Sequence, residues 1–201
     1  MDKLRTAALA GAVILLGSGC SSAHGSTHTA DASVRPTAPT TTSPSAADAN
    51  SSPAEALCHA LITDQDLPPG FGSTSTAAPC SDDSKLQATG FVGQHGGLEM
   101  INEELERTDS AENAASRLPQ LVAELNLLAH NPSEQDPAQF RDLGDEARYF
   151  TQHYEQTYWN TLYIRRGKLL VYLSVTKYGP FTPADMHLLA SKAVKRAESL
   201  R

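Results

Sequence analysis

Residues 148 to 178 read RYFTQHYEQTYWNTLYIRRGKLLVYLSVTKY, two runs of aromatic and β-branched residues on either side of Arg165-Arg166-Gly167-Lys168. Such runs about a glycine-containing break predict a β-hairpin, and a hairpin needs further strands or a helix to cover it. A turn centred on Arg166-Gly167 would place Ile164 opposite Leu169, Leu162 opposite Val171 and Tyr158 opposite Val175, on one core side. The reverse side then carries Tyr163 with Leu170, Thr161 with Tyr172 and Trp159 with Ser174.

The flanking segments predict what packs on this sheet. Ser52-Pro53-Ala54-Glu55 is a capping box with proline at the first helical position. It opens a short helix with Ala54, Leu57, Cys58 and Leu61 on one face, stopped by Pro68-Pro69. Residues 86–92 predict a strand. Residues 97–109 fit a strand better than a helix, because Gly96-Gly97 precede them and a helix start follows. From Asp109 to Ala129 the apolar period of 3.6 runs straight through Pro119, predicting one helix kinked there. HNPSEQDPAQ reads as a loop. Thr182, Pro183 and Asp185 begin a last helix, whose stripe is Met186, Leu189, Ala190, Ala193, Val194, Ala197 and Leu200. The expected fold class is α+β: a mainly antiparallel sheet packed against amphipathic helices, one globular domain over 53–201.

Ahead of that domain the composition changes. Between Ser21 and Ser52 the only apolar residue larger than alanine is Val34, so this stretch is expected to be a disordered Ser/Thr/Pro/Ala-rich linker. Its r.m.s. reach would be roughly 30 Å. His24 and His28 within it have no third ligand nearby. Lys3, Arg5 and the apolar run Ala7–Gly19 have the form of a signal peptide over 1–19, too short to cross a bilayer. Ser18-Gly19-Cys20 resembles the lipobox of bacterial lipoproteins, though Gly17 holds the place where leucine is commonest. That resemblance implies a diacylated Cys20, which two chains would anchor stably. The expected location is the outer face of the cytoplasmic membrane, within the cell envelope. Cys58 and Cys80 then remain as a pair in a disulfide-permissive compartment, and a bridge is expected over two free thiols.

In order, these pieces are a helix leading into Cys58, DLPPGF, Cys80, a central helix, LGDEA at 143–147, and RRGKLLVYLSV before a terminal helix. The order resembles a diffuse group of actinobacterial exported lipoproteins and the extracellular sensor-like domains of mycobacterial receptor serine/threonine kinases. It implies a sheet-plus-helices domain outside the membrane, with ligand or sensor roles. The kinase-linked members usually carry two disulfides, and one pair is available here.

The sequence argues against several kinds of chemistry. The formal net charge is −7, and losing Asp2, Lys3 and Arg5 with the leader makes it more negative, which disfavours nucleic acid and anionic lipid head groups. Ser174-Val175-Thr176-Lys177 fits an S-x-x-K string, but in a strand Ser174 and Lys177 point to opposite faces. Glu103, Glu104, Glu106 and Asp109 read as a solvated strand edge or helix face. Asp145 and Glu146 read as turn and strand-start residues, with a cation or donor-rich ligand as the other possibility. No catalytic residue, metal site or cofactor is expected, and the chain is not expected to be an enzyme.

Nine of the 12 aromatic residues lie between Tyr149 and Phe181. Trp159, Tyr163 and Tyr172, interleaved with Thr161 and Ser174, suit a groove for a glycan or an amphipathic small molecule. An ordinary core under a helix is the competing account of that face. The functional expectation is therefore a ligand-binding or sensor-like domain on a lipid tether. The alternative is an adaptor that docks on an envelope protein without a small-molecule site.

Overall fold

The runs around Gly167 become neighbouring strands of a seven-stranded antiparallel sheet in a computed structural model. The residues described are 51–75, 80–94, 96–128 and 132–200. The expected signal peptide, Cys20 and the linker up to residue 50 lie outside them. The strands are β1 (Phe71–Ser75), β2 (Leu86–Gly93), β3 (Gly96–Arg107), β4 (Ser133–Gln135), β5 (Glu146–Tyr154), β6 (Thr157–Arg166) and β7 (Leu169–Tyr178). Their spatial order is β1-β2-β3-β7-β6-β5-β4. Two meanders, β1 to β3 and β4 to β7, thus meet along β3 and β7 in eight consecutive residue pairs, from Met100 with Thr176 to Arg107 with Leu169.

Among the described residues three α-helices complete an α+β domain: α1 (Pro53–His59), α2 (Ala111–Leu128) and α3 (Pro183–Ala197). The caps are those the local sequence calls for. Ser52 and Glu55 exchange both capping-box hydrogen bonds, and Thr182 and Asp185 do the same at α3. The Ser110 hydroxyl accepts from the Asn113 amide at the start of α2, which continues through Pro119 as a single helix.

The sheet is covered on both faces. On the first, Ile101, Leu105, Leu162, Ile164, Val171, Leu173 and Val175 meet Leu57 and Leu61 of the α1 region and Met186, Leu189, Ala193 and Val194 of α3. Phe140 and Tyr149 close its β5 side, rings 4.9 Å apart. On the second, Phe150, Tyr163 and Leu170 pack under Ala114, Leu118 and Val122 of α2. Cys58 and Cys80 form a disulfide, Cα to Cα 5.6 Å, which ties α1 to the segment before β2.

Three expectations change. The turn of the β6–β7 hairpin is Gly167-Lys168, not Arg166-Gly167, so Ile164 faces Val171 and Leu162 faces Leu173. The reason is backbone chirality: Gly167 has φ 60, the positive value needed at the first residue of a two-residue II′ turn. The partner strand slides by two residues, so every side chain keeps its face. The region expected to be loop contains β4 and a 3-10 turn, Pro137–Phe140, capped by Asp136. The glutamates of β3 do not share one solvated face. Alternation sends Glu103 inward between Ile101 and Leu105, where it is 0% exposed.

Candidate functional site

The pairings align residues of the α2-facing side into rows across β5, β6 and β7. Phe150, Thr161 and Ser174 make one row. Gln152, Trp159 and Thr176 make the next, and Tyr154, Thr157 and Tyr178 the last. α2 closes over Phe150 and Tyr163, and beyond that contact rings reach solvent. Tyr154 is 70% exposed, Trp159 46% and Tyr178 42%. Three of the five large hydrophobic side chains exposed among the described residues therefore sit together at one end of the sheet.

The five residues singled out from the alternating pattern divide along the edge of α2. Tyr163 and Thr161 are buried, Tyr172 and Ser174 half-buried, and Trp159 open. The Tyr163 hydroxyl donates to the Leu121 carbonyl of α2 at 3.4 Å, and burial raises the pKa of both Tyr163 and Tyr172. Beside them a groove of about 210 Å³ is rimmed by Glu104, Glu106 and Glu124. Arg117 of α2 binds two of these, Glu106 at 3.2 Å and Glu124 at 2.8 Å. So Tyr163 and Tyr172 hold a helix to the sheet, while Trp159 belongs with Tyr154 and Tyr178.

Beside Tyr154 and Trp159 lies a cleft of about 900 Å³. β4 pairs with β5 along Tyr149 to Thr151 at the outer edge of the sheet. The cleft runs around that edge and draws on both faces. Tyr149, His153, Tyr158 and Asn160 line it from one, and Tyr154 and Trp159 from the other, with Gln139 and Phe181 along the wall. The His153 and Tyr158 rings stack with centroids 4.2 Å apart. At the bottom the Tyr149 hydroxyl donates to Asn160 Oδ1 at 2.5 Å. Burial pushes the Tyr149 phenol up to about 12, so it stays a neutral donor. Glu155, in the β5–β6 turn, has φ 53, a left-handed backbone that glutamate adopts at some cost.

The lining has a consistent chemistry. It is aromatic rings, amides and hydroxyls, with Asp136 the one acidic side chain lining it among the described residues. That carboxylate accepts from the Ala138 amide as a helix cap. Rings offer flat apolar surface, and amides and hydroxyls supply directional hydrogen bonds at its margin. Such a surface fits a ligand with apolar C–H faces and many hydroxyls. Glycoside hydrolysis in its usual form needs two carboxylates flanking the scissile bond, and Asp136 is the one carboxylate that lines the cleft among the described residues.

Asp145 and Glu146 serve the other end of the hairpin. Asp145 Oδ2 accepts from the Gly167 amide at 2.7 Å and lies 3.3 Å from Arg165. Glu146 lies 3.4 Å from the same arginine. Gly144 passes so close to β6 that an added Cβ would stand 2.5 Å from the Arg165 carbonyl oxygen. The LGDEA segment is thus a clamp on the turn.

No family model and no curated protein matches the chain. Among solved structures it is similar to the extracellular domain of PknH from Mycobacterium tuberculosis, with 10% identity over 71% of this chain and 75% of that one, at a TM-score of 0.40. That likeness is too slight to carry function across.

Proposed function

We propose that this chain is a non-catalytic, exported domain, tethered through lipid on Cys20, that binds a neutral glycan at the aromatic end of the β5–β6 hairpin. One observation carries the reading: Tyr154 and Trp159 are exposed together beside a cleft whose other polar groups are nearly all uncharged. The tether rests on the leader and Cys20, and an envelope location would surround the domain with polysaccharide.

Trp159 is the only tryptophan, so its emission reports on this site alone. Titration with soluble N-acetylhexosamine oligomers should shift and quench that emission saturably. Tyr154→Ala should weaken the same oligomer several-fold, in line with a loss of about 1 kcal/mol for one aromatic contact. Unchanged emission together with no heat of binding at millimolar oligomer would remove the glycan reading and favour the adaptor role.

A further inference from the structure

A second cleft, of about 660 Å³, opens at the far end of the sheet on the face that α3 covers. It lies between the last turns of α3, the β6–β7 turn and the clamp segment. Its floor is apolar: Val171, Val194 and Ala197 are buried, with Leu169 and Leu200 half-buried beside them. Its mouth is charged, and the charges differ in what they already hold.

Each acidic group there is engaged. Asp142 meets His187 Nε2 at 3.0 Å, and Asp145 is held by Arg165 and the Gly167 amide. Arg166 is taken by Glu198 at 3.0 Å. Arg107 and Lys168 are different: both line the cleft, and among the described residues neither makes a close ion pair, the Lys168 charge acting only at longer range, on Glu112. Alternation along β3 puts Arg107 on the same face as Ile101 and Leu105, directly paired with Leu169. Two cations without a close ion pair among the described residues thus stand at the mouth of an apolar trough on a net acidic protein.

We propose that this trough binds a single-chain amphiphile with an anionic head, its tail along Val171, Val194 and Leu200 and its head between Arg107 and Lys168. An apolar tail alone would leave the two cations without counter-charge. A small anion alone would leave the floor unused, and an exposed cation pair holds free anions weakly in water. A volume of this size lies within the range of small-molecule sites. The site is separate from the aromatic end, so it stands or falls independently of the glycan reading.

Decanoate is the probe, with acetate as the head alone and decyltrimethylammonium as the same tail under the opposite charge. Amide shifts in a ¹⁵N correlation spectrum locate whatever binds. Decanoate should move the Gly144, Gly167 and Leu169 amides saturably, and the two controls should not. Arg107→Gln with Lys168→Gln, both at exposed positions, should weaken decanoate about tenfold and leave the rest of the spectrum in place. Leu200→Gln should weaken it as well.

The proposal is overturned if decanoate moves none of these amides, or shifts Tyr154 and Asn160 instead. Equal binding of decyltrimethylammonium, or unchanged affinity in the double variant, would overturn it too. Anionic phospholipid vesicles separate a free amphiphile from a membrane surface. Sedimentation with vesicles that persists in the double variant counts against the site, and sedimentation lost in it identifies lipid as the source.

Discussion

Glu103 is a carboxyl group inside a hydrophobic layer, and its surroundings explain how it is tolerated. Its Oε2 accepts from the Ile62 amide at 2.6 Å, while Oε1 has no hydrogen-bond partner among the described residues. Burial pushes this carboxyl up to about 8, and the Ile62 hydrogen bond and the Arg196 charge only partly offset that. A raised acid pKa means that the folded protein holds the proton more tightly than the unfolded chain. Its contribution is therefore full below about 4.5 and is lost as pH rises through about 8. Glu103→Gln keeps an acceptor for Ile62 and removes the titration. The difference in urea midpoint between wild type and variant should grow by the equivalent of a few kcal/mol between pH 5 and pH 9, in the variant's favour. Parallel profiles would show that Glu103 titrates normally. Acidic groups held below their ordinary range, such as Glu134 beside Arg148 and Asp142 beside His187, act at the acid end and cancel in that difference.

The same part of the molecule is tied down from α3. Arg196 Nε donates to the Leu61 carbonyl at 2.5 Å and Nη2 to His59 at 3.1 Å, and Lys192 donates to the Asp66 carbonyl at 2.8 Å. Carbonyls at the end of α1 and in the turn after it thus receive donors from a helix more than 120 residues later. The clamp on the β6–β7 turn is a second such joint. Gly144→Ala would set a Cβ 2.5 Å from the Arg165 oxygen and 2.6 Å from Ile164 Cγ2, forcing the segment off the strand. A loss of about 1–3 kcal/mol is expected in denaturant titration, with exchange of the Gly167 amide accelerated as Asp145 withdraws. What was readable beforehand follows from this division. α3 announced itself through Thr182, Pro183 and a regular stripe, and β3 through Gly96-Gly97 before it and the helix start after it, though not through its inward Glu103. β4 did not, because Ser133-Glu134-Gln135 are polar residues joined to β5 by backbone pairing and by Glu134 with Arg148. β1 is likewise a backbone pairing of small residues with an irregular register. For the site, the wealth of rings near Trp159 was visible, but Tyr154 and Tyr178 were not. Their role depends on where α2 stops and on the sliding of β7 by two residues, and neither is encoded in the hairpin itself.

At the scale of the molecule the sheet lies between α1 with α3 on one side and α2 on the other, and the two candidate clefts open at opposite ends of it. The single disulfide acts on the N-terminal margin, where α1 is held by one short amphipathic face. Reducing it frees a segment spanning 22 residues, worth about 3 kcal/mol in the chain-entropy model. For a domain of this size that is roughly 10 °C in melting temperature, measurable by calorimetry with and without reductant. A shift of under a degree would mean that Arg196, Lys192 and Glu103 hold the margin by themselves.

The ladder between β3 and β7 also governs how the chain comes together in time. Each meander closes locally, but these central strands are about 70 residues apart in sequence, so their pairing requires a large loop to close first. Until β7 arrives, β3 presents a twelve-residue open edge, the kind of surface on which partly folded chains join one another. A chain emerging amino end first carries that exposed edge through the emergence of α2, β4, β5 and β6. Its hazard is therefore greatest late in that emergence, and a truncation just before Leu169 should aggregate more readily than one made before β3 begins.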